Sequence, residues 1–426
     1  MTIHQTIASP GCGCDRQDML DALISIDEGL ARIAAHVTPV GRTEAVSLCG
    51  ALGRILAHPV RSRALVPAFD NAAMDGYAVA TAALTGPGPW ALNVMARVPA
   101  GQQATAALGV TGAARIFTGA PIPKGADAVV MQEDVTRIGD VIHLRRSPSQ
   151  GLNIRRAGSD MAQGETILER GRRLGPRDIA ACAAAGAGVV RVRPRLRVAL
   201  LVTGDEVRKA GAARDAAQIW DVNTPMLTAA LEALGGQIVS SAHGADNPID
   251  LARQHEAMAG QADLVITTGG ISVGEEDHVK PVFSELGGET LFSGVAIKPG
   301  KPVTVGRLGS TFWLGLPGNP LSAYVTWQVF GVALIESLLG ETARAPARRH
   351  VVTAAPIRRK PGRCELRPAA LTGFDAHGRE VVSFAQSIQS GRVGGLPEMD
   401  GLIFLSSDTE SLPAGALVEF QPFYPD

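Results

Sequence analysis

The sequence predicts a multidomain protein of the α/β plus β class, and three observations support that prediction. The chain has 426 residues, more than a single hydrophobic core usually accommodates. Between residues 195 and 340, apolar runs typical of strands alternate with helical patterns, as expected for a three-layer domain with helices on both faces of a parallel sheet. On either side of that region, short apolar runs between turn residues predict two β-rich modules, the second a small barrel or sandwich.

Composition and charge exclude some classes of function. The net charge of -1 excludes a globally basic nucleic-acid-binding protein. No run of 18 uncharged apolar residues occurs and the first 21 residues lack an apolar block typical of a secretory signal, so we expect a cytoplasmic protein without membrane contact. The five cysteines are scattered and odd in number, which does not indicate a disulfide framework. Cys12 and Cys14 lack a second pair or a nearby histidine, which favours a flexible tail over a metal site.

The first part of the chain predicts helices and then an extended polar segment. Apolar spacing predicts a helix over residues 18–36 and an amphipathic helix over Thr43–Leu56. A turn at Asp75-Gly76 precedes a predicted strand, Tyr77–Val79. The turn needs only Asp75 and Gly76, so it does not explain Asp70 and Asn71. These two residues could have a functional role, or they could be ordinary turn residues.

A β-rich module with two polar turns follows. Short strands are predicted from residue 90 to residue 150, with Thr118 in a rigid turn where its hydroxyl could cap the chain or meet a ligand. Arg155 and Arg156 lie near Asp160 in the sequence, which fits either a surface ion pair or an anion site. A helix is then predicted over Arg177–Val189, and alternating arginines from residue 191 predict a strand with a solvated basic face.

The α/β region contains a glycine-rich turn that resembles an anion cradle. The predicted strand Leu264–Ile266 runs into glycines 269, 270 and 274 with Ser272 between them, and then into the carboxylates of residues 275–277. Glycines let main-chain N–H groups approach an anion, and carboxylates just beyond could hold a divalent metal. The alternative is a plain strand-to-helix turn whose acidic residues favour the helix N-terminus.

Other charged residues are predicted to lie at the same edge of the sheet. Glu206 and Asp246 follow two further strands, and ligands of parallel sheets bind at the carboxyl ends of strands. Lys298 and Lys301 lie in a Lys-Pro-Gly-Lys-Pro segment, and a Leu-Pro-Gly-Asn-Pro turn begins the next helix at residue 320. Cations on rigid turns suit a compact oxyanion or a phosphate.

These motifs, taken in order, resemble those of the molybdopterin molybdenumtransferases, the MoeA family that includes the C-terminal region of gephyrin. The resemblance extends from about residue 18 to the end of the chain. The matching segments are Phe69–Val79, Thr118–Ala120, Asn153–Arg156, Thr203–Glu206, Gly269–Gly274, Lys298–Pro302 and Leu316–Pro320.

The resemblance implies a reaction and a domain plan. The family inserts molybdenum from molybdate into adenylylated molybdopterin with Mg²⁺ and releases AMP, and its members are elongated homodimers. Molybdopterin adenylyltransferase and molybdoenzymes or their chaperones are the implied protein partners. The family plan has four parts, and the boundaries predicted from the sequence agree with it: an extended domain built from two segments (18–59 and 151–194), an inserted β-rich domain (60–150), an α/β molybdopterin-binding domain (195–340) and a C-terminal β-domain (341–426). Residues 1–17 are expected to form a flexible tail.

The resemblance also implies site residues. Asp75, Glu206 and Asp277 take catalytic positions, and Glu206 and Asp277 are also the implied metal ligands. The implied substrate-binding residues are Thr118, Asp160, Asp246, Gly269, Gly270, Ser272, Gly274, Lys298, Lys301, Pro317, Pro320, Ser322, Arg363 and Ser390.

Two positions depart from the family pattern. Gly294 stands where many relatives carry a basic residue, so one substrate contact is absent or supplied elsewhere. Arg367 lies one position early in the C-terminal motif, which favours Arg363 as the substrate-binding arginine.

Two other functions remain open on the sequence. The chain could be a non-catalytic binding or scaffold protein of the same architecture, although its acidic and basic motif residues are intact. It could instead be an adenylyltransferase, although a single α/β domain would suffice for that reaction.

Overall fold

The computed structural model describes residues 23–103, 107–109, 111–244, 247–272, 277–342, 348–387 and 389–424. The chain divides into two compact units. The large unit comprises Met1–Glu44, Gly53–Ala57 and Arg193–Asp426, and the small unit comprises Ala45–Leu52 and His58–Val192. The finer division into five parts remains a prediction.

The helices of the described residues lie mainly in the large unit. They are α1 (Ile26–His36), α2 (Pro176–Ala184), α3 (Asn223–Ala233), α4 (Pro248–Ala259), α5 (Val279–Glu285), α6 (Pro320–Thr326), a π-helical segment (Trp327–Gly331) and α7 (Val332–Leu339). Short 3₁₀ turns occur at Leu48–Gly50, Thr81–Ala83, Gln132–Asp134 and Leu396–Glu398.

The strands fall into three runs along the chain. The first run is β1 (Glu44–Ser47), β2 (Val60–Arg61), β3 (Asn71–Ala72), β4 (Gly76–Val79), β5 (Trp90–Val98), β6 (Gly112–Ile116), β7 (Ala128–Met131), β8 (Val135–Ile138), β9 (Val141–Leu144), β10 (Ile154–Arg155), β11 (Thr166–Leu168) and β12 (Val189–Val192). The second is β13 (Leu196–Thr203), β14 (Val207–Arg208), β15 (Ile219–Trp220), β16 (Gly236–Gly244), β17 (Leu264–Thr268), β18 (Glu289–Ser293), β19 (Ile297–Lys298), β20 (Thr304–Leu308) and β21 (Thr311–Leu316). The third is β22 (Arg349–Thr353), β23 (Ile357–Arg358), β24 (Cys364–Phe374), β25 (Glu380–Phe384), β26 (Gly401–Leu405), β27 (Ser411–Leu412) and β28 (Leu417–Pro422).

The small unit is built around the predicted β-rich module, which the structure confirms. Its main sheet has the strand order β7-β4-β6-β5-β9-β8, and apolar clusters cover both faces. Two-stranded pairs β1-β12, β2-β11 and β3-β10 flank it.

One prediction in this part of the sequence was wrong. Thr43–Leu56 is not a helix, because β1 pairs with β12 and a 3₁₀ turn follows. Gly53, with φ +73°, adopts a left-handed conformation that a helix does not accommodate. The strand predicted at Tyr77–Val79 is confirmed as β4, which pairs with β6 and β7.

The observed bounds of another helix and another strand also differ from the predicted ones. Among residues 18–36, the described helix begins only at Ile26, where the Ser25 hydroxyl accepts a hydrogen bond from the Glu28 N–H. The arginine-rich alternation is two strands rather than one, since β12 and β13 are separated at Pro194, which cannot donate to a ladder.

The large unit contains the predicted three-layer α/β arrangement. Its sheet has the order β16-β13-β17-β21-β20-β18, in which the first four strands run parallel and the last two are antiparallel to their neighbours. One face packs against α1, α3, α6 and α7, and the opposite face packs against α4 and α5. The carboxyl ends of β13, β16, β17 and β21 therefore share one edge.

The C-terminal part of the large unit forms a closed five-stranded barrel, as predicted. The strand order β24-β25-β22-β28-β26 closes because β26 also pairs with β24. Strand β19 of the α/β part extends β24 in parallel, which joins the barrel directly to the segment that contains Lys298.

One helical stretch resembles a membrane span in length and composition. Pro320–Leu339 is apolar over 20 residues, but 78% of it is buried inside the large unit. It therefore packs as a core helix. The side chain of Gln328 anchors it to the C-terminal segment by accepting from the Tyr424 N–H and donating to the Tyr424 carbonyl.

A buried histidine makes the helical layer sensitive to acid. His255 on α4 is 2% exposed and its ring lies 5.7 Å from Phe283 and 6.1 Å from Trp313. Burial lowers the pKa of His255 from 6.5 to about 4. Because the unfolded chain then binds a proton more readily than the folded one, stability is complete above pH 6.5 and declines as the pH falls towards 4.

We expect His255→Phe to remove much of this acid sensitivity. The full shift corresponds to about 3 kcal/mol of unfolding free energy. The urea concentration at the midpoint of unfolding should therefore decrease less between pH 7 and pH 5 for His255→Phe than for the wild type. His350→Phe, at an exposed position of β22, is the matched control and should behave as the wild type does. Equal declines in all three proteins would contradict the prediction.

Candidate functional site

Three turns meet at the carboxyl edge of the parallel strands. They follow β13, β17 and β21, as the sequence predicts. The Gly269 N–H donates to the Leu316 carbonyl at 3.1 Å, and the Thr203 hydroxyl donates to the Thr268 carbonyl at 3.3 Å. A side chain on Gly318 would place its Cβ 3.4 Å from the Gly269 Cα. The turn after β17 thus contacts both of its neighbours.

Two positions at the centre of this edge require glycine for steric reasons. Gly269 and Gly270 have φ values of +89° and +62°. A Cβ on Gly269 would lie 2.7 Å from the Thr203 hydroxyl, and one on Gly270 would lie 2.8 Å from Val279 Cγ2. The left-handed backbone disfavours any residue with a side chain at these positions, and there is no space for even a methyl group. Ser272 lies exposed just after them.

Glu206 lies exposed on the first of the three turns. Its side chain folds back over Gly204, since a Cβ on that glycine would lie 2.7 Å from Glu206 Oε2. The ring of His243, at the end of β16, lies with Nε2 2.9 Å from the Gly204 carbonyl oxygen. The sequence analysis did not identify His243, because only the pairing of β13 with β16 places it beside this turn.

A cluster of charges surrounds the start of α5. The Val279 N–H donates to the Gly270 carbonyl at 3.1 Å, which seats the first turn of the helix on the glycines. Burial lowers the pKa of the Lys280 ammonium, while the nearby charge of Asp277 raises it and that of Lys301 lowers it. Asp277 and Lys301, both predicted as site residues, thus each influence the charge of Lys280, which was not among the predicted site residues.

Lys298 is linked to the barrel through a buried carboxylate. Its Nζ lies 3.7 Å from Glu365 Oε2, and Glu365 is 2% exposed. The same carboxylate accepts hydrogen bonds from the Nε atoms of Arg367 at 2.6 Å and Arg359 at 3.3 Å. Beyond Lys298, Gly300 packs against Thr326 of α6. Glu365 therefore holds three cations and was not among the predicted site residues.

A cavity of about 260 Å³ lies between the start of α6 and the barrel. Two arginines, Arg367 and Arg392, contribute its charged groups, and Ser387 and Gln389 add polar ones. Among the described lining residues none is acidic, and of the two arginines Arg367 is paired with the buried Glu365.

Two residues that line this cavity, Leu321 and Gln389, are sequence neighbours of predicted substrate-binding residues. The Leu321 N–H donates to the Ser390 carbonyl at 3.0 Å, beside Ser322 in the first turn of α6. Pro320 is the first residue of that helix, and Pro317 is buried in the preceding turn.

The two departures from the family pattern have local structural explanations. Arg363 donates from Nη1 to the Ile297 carbonyl at 3.2 Å, so it holds the main chain next to Lys298, whereas Arg367 lines the cavity. Gly294 has φ +86°, its N–H donates to the Val303 carbonyl, and a Cβ there would lie 2.7 Å from Leu23 Cδ2.

Asp75 and Thr118 come together in the small unit. The N–H and the hydroxyl of Thr118 each donate to Asp75 Oδ1 at 2.8 Å. These bonds, led by the main-chain one, hold the pKa of Asp75 below its usual value, so the carboxylate is ionised. Asp160 is exposed, and the salt bridge that forms joins Arg156 to Asp70 at 2.6 Å.

Some predicted residues lie outside the described part of the chain. They are Asp246, Gly274, Glu275 and Glu276 at the sheet edge, and Cys12 and Cys14 in the tail. Within the described ranges, no group of three or more His, Cys, Asp or Glu residues is arranged to hold a metal ion. Glu206 and Asp277 still fit Mg²⁺, since this ion commonly uses one or two carboxylates together with substrate phosphates.

Three family descriptions match successive parts of the chain. Residues 24–186 match "MoeA N-terminal region (domain I and II)". Residues 199–337 match "Probable molybdopterin binding domain", and residues 350–423 match "MoeA C-terminal region (domain IV)".

Characterised relatives and solved structures are similar over nearly the whole length. The molybdopterin molybdenumtransferase of Haemophilus influenzae is 33% identical over 406 residues, which cover 94% of this chain and 99% of that protein. Molybdopterin molybdenumtransferase 2 of Mycobacterium tuberculosis is 33% identical, with 91% and 97% covered. The crystal structure of a molybdopterin biosynthesis MoeA protein from Pyrococcus horikoshii has a TM-score of 0.80 and 30% identity, with 95% of this chain and 100% of that chain covered.

The contact of Gly269 with Thr203 gives a testable prediction. Gly269→Ala should lower the melting temperature more than Gly211→Ala, a matched control with φ +83° and no atom within 4 Å of the added Cβ. Both changes carry a left-handed penalty of about 1–2 kcal/mol, and only Gly269→Ala adds the overpacking cost of about 1–3 kcal/mol. Thermal unfolding of the two variants measures the difference. Equal losses of melting temperature would contradict the prediction, because they would show that the turns can move apart to admit the added methyl group.

Proposed function

This chain belongs to the molybdopterin molybdenumtransferase (MoeA) family of molybdenum cofactor biosynthesis, and we propose that it transfers molybdenum from molybdate into adenylylated molybdopterin and releases AMP. The observation that carries the proposal is the meeting of three turns at one sheet edge. Glu206 lies on the first turn, and Asp277 lies just before α5, whose first residue donates a hydrogen bond to the second turn. This edge is where ligands of parallel α/β sheets bind.

The cations of the large unit suit the two anionic parts of the reaction. Lys298 and Lys301 supply compact positive charges for phosphate oxygens or for molybdate. The cavity lined by Arg367 and Arg392 presents guanidinium groups, whose planar N–H donors bind tetrahedral oxyanions through paired hydrogen bonds. We propose that this cavity receives molybdate.

The carboxylates have a separate role in the proposal. Glu206 and Asp277 would hold Mg²⁺, which when bound supplies charge neutralisation at the phosphate of the adenylate linkage. The glycine turn brings main-chain N–H groups close to the same phosphate and excludes side-chain bulk. Asp75, kept ionised by Thr118, belongs to the small unit and would complete the site in a homodimer.

The reaction is tested by measuring AMP. Purified protein given adenylylated molybdopterin, Mg²⁺ and molybdate should release AMP above a control without molybdate. Asp277→Asn should slow release by on the order of a hundredfold, the loss typical when a preorganised electrostatic contact is removed. The matched control Asp140→Asn lies on an exposed turn of the small unit and should retain the wild-type rate. Molybdate-independent release, or equal rates in the two variants, would contradict the proposal.

The proposed homodimer has its own measurement. Light scattering on the purified chain should give about twice the 44.3 kDa mass of one copy. If the chain has the mass of one copy at the concentrations where it releases AMP, Asp75 cannot be supplied by a second copy.

A further inference from the structure

A second cavity lies at the amino ends of the parallel strands, opposite the edge where the three turns meet. It has a volume of about 330 Å³, and Arg197 of β13, Asp263 just before β17 and Thr311 of β21 line it. The segment after α1, residues 38–42, and the ends of α4 and α7 complete its walls. None of the residues predicted to bind substrate or metal is among its lining residues.

Two arginines and one carboxylate supply the charges of this cavity. The Asp263 side chain is 10% exposed, and its Oδ1 accepts from Arg197 Nη2 at 2.9 Å. Its Oδ2 accepts from the Arg197 main-chain N–H at 3.0 Å and from Arg42 Nη2 at 2.5 Å. Burial opposes ionisation of Asp263, but these hydrogen bonds outweigh burial and hold the pKa of Asp263 below its usual value. Because no other lining residue is charged, the lining carries one positive charge in excess.

A structural role accounts for Arg197 better than for Arg42. Arg197 contacts Asp263 through both its main chain and its side chain, and so joins the start of β13 to the start of β17. The Arg42 side chain is 44% exposed, and within the described ranges Asp263 is the only group to which it donates, through Nη2. The N–H groups of Arg42 Nε and Nη1 are therefore available to a ligand.

The main-chain acceptors around the cavity are already hydrogen-bonded. The Thr311 hydroxyl donates to the carbonyls of Ala259 and Ala262, at 2.7 Å and 3.0 Å. The carbonyl of Leu338, near the end of α7, accepts from the Val40 N–H at 2.9 Å. Carbonyls at helix C-termini disfavour an anion, and these partners reduce that effect. The polar groups left for a ligand are therefore mainly donors.

The remaining lining residues suit an organic phosphate. Thr38 and Ser310 are exposed, and across the described ranges their hydroxyls form no hydrogen bond. They belong to different segments from Arg197, so donors reach the cavity from several directions, which suits a tetrahedral group better than a planar carboxylate. Pro39, Phe312 and Leu338 add apolar surface for a carbon skeleton. The volume lies at the lower end of small-molecule pockets, which span roughly 300–1,000 Å³.

We propose that this cavity is a binding site for a small organic phosphate. The phosphoryl oxygens accept hydrogen bonds from the unused N–H groups of Arg42 and Arg197, and the carbon part packs on the apolar lining. Arginine suits this task because its planar donors bind two phosphate oxygens at once. The site is separate from the edge that contains Glu206 and does not depend on the proposed function.

The test uses phenyl phosphate as the probe, with benzoate and inorganic phosphate as comparisons. Calorimetry on the full chain should show that phenyl phosphate binds more tightly than benzoate, which has the same ring and a planar carboxylate, and more tightly than inorganic phosphate, which has no ring. Arg42→Met should weaken phenyl phosphate binding about tenfold or more, the loss of a charge-assisted contact. It should leave the rate of AMP release unchanged, because Arg42 lies outside the candidate active site.

Two further variants make the measurement specific. Arg137→Met is the matched control, since that arginine is 45% exposed and also pairs with a carboxylate, Asp140, in the small unit. It should bind phenyl phosphate as the wild type does. Arg42→Lys keeps the charge but loses the planar donors, and should bind phenyl phosphate several-fold more weakly. This variant keeps the test decisive if the melting temperature shows that Arg42→Met does not fold.

Four results would overturn the assignment. They are a wild type that does not bind phenyl phosphate, affinity that both Arg42 variants leave unchanged, equal weakening by Arg137→Met, and binding of benzoate or inorganic phosphate as tight as that of phenyl phosphate. Each of these results would leave the proposed function intact, because AMP release is measured separately. A loss of AMP release in the wild type would refute the proposed function and leave this site unaffected.

Discussion

The close approach of main chain at Gly269 determines the geometry of the candidate site. Parallel strands end at the same edge, but the turns that follow them ordinarily diverge because their side chains occupy the space between them. Here the turn after β17 contacts the turn after β13 at Thr203 and the turn after β21 at Gly318. Since Glu206 and the start of α5 follow directly from these turns, their positions depend on the absence of side chains at Gly269 and Gly270.

The basic side of the site is positioned by a different part of the large unit. Lys298 lies on β19, which pairs with β24 of the barrel rather than with the α/β sheet. Buried Glu365 then contacts Lys298, Arg359 and Arg367. A buried ion network of this kind adds little net stability, because desolvation offsets most of the attraction. The clearer effect of this network is on the position of Lys298, because Glu365 holds that lysine beside the barrel.

Sequence reasoning predicted the features that are encoded locally. The alternation of strands and helices, the glycine turn after Leu264–Ile266 and the proline at the start of α6 are local patterns, and the structure contains all three. The prediction of a helix over Thr43–Leu56 was wrong because its apolar spacing is equally compatible with a strand that pairs far away in sequence.

Sequence reasoning missed these site residues for one physical reason. The His243 ring contacts the Gly204 carbonyl and the Glu365 carboxylate contacts Lys298, and each partner is distant in sequence. Such pairs become visible only when register and burial are known. Both contacts place a polar or charged side chain at its position through an element that the local sequence does not reveal. The apolar layers beneath the edge, around Trp313 on one face and Trp327 on the other, stabilise the large unit enough to hold that arrangement. The positions of the charged residues are therefore determined by strand register and by the packing beneath the edge, and neither can be read from a local sequence pattern.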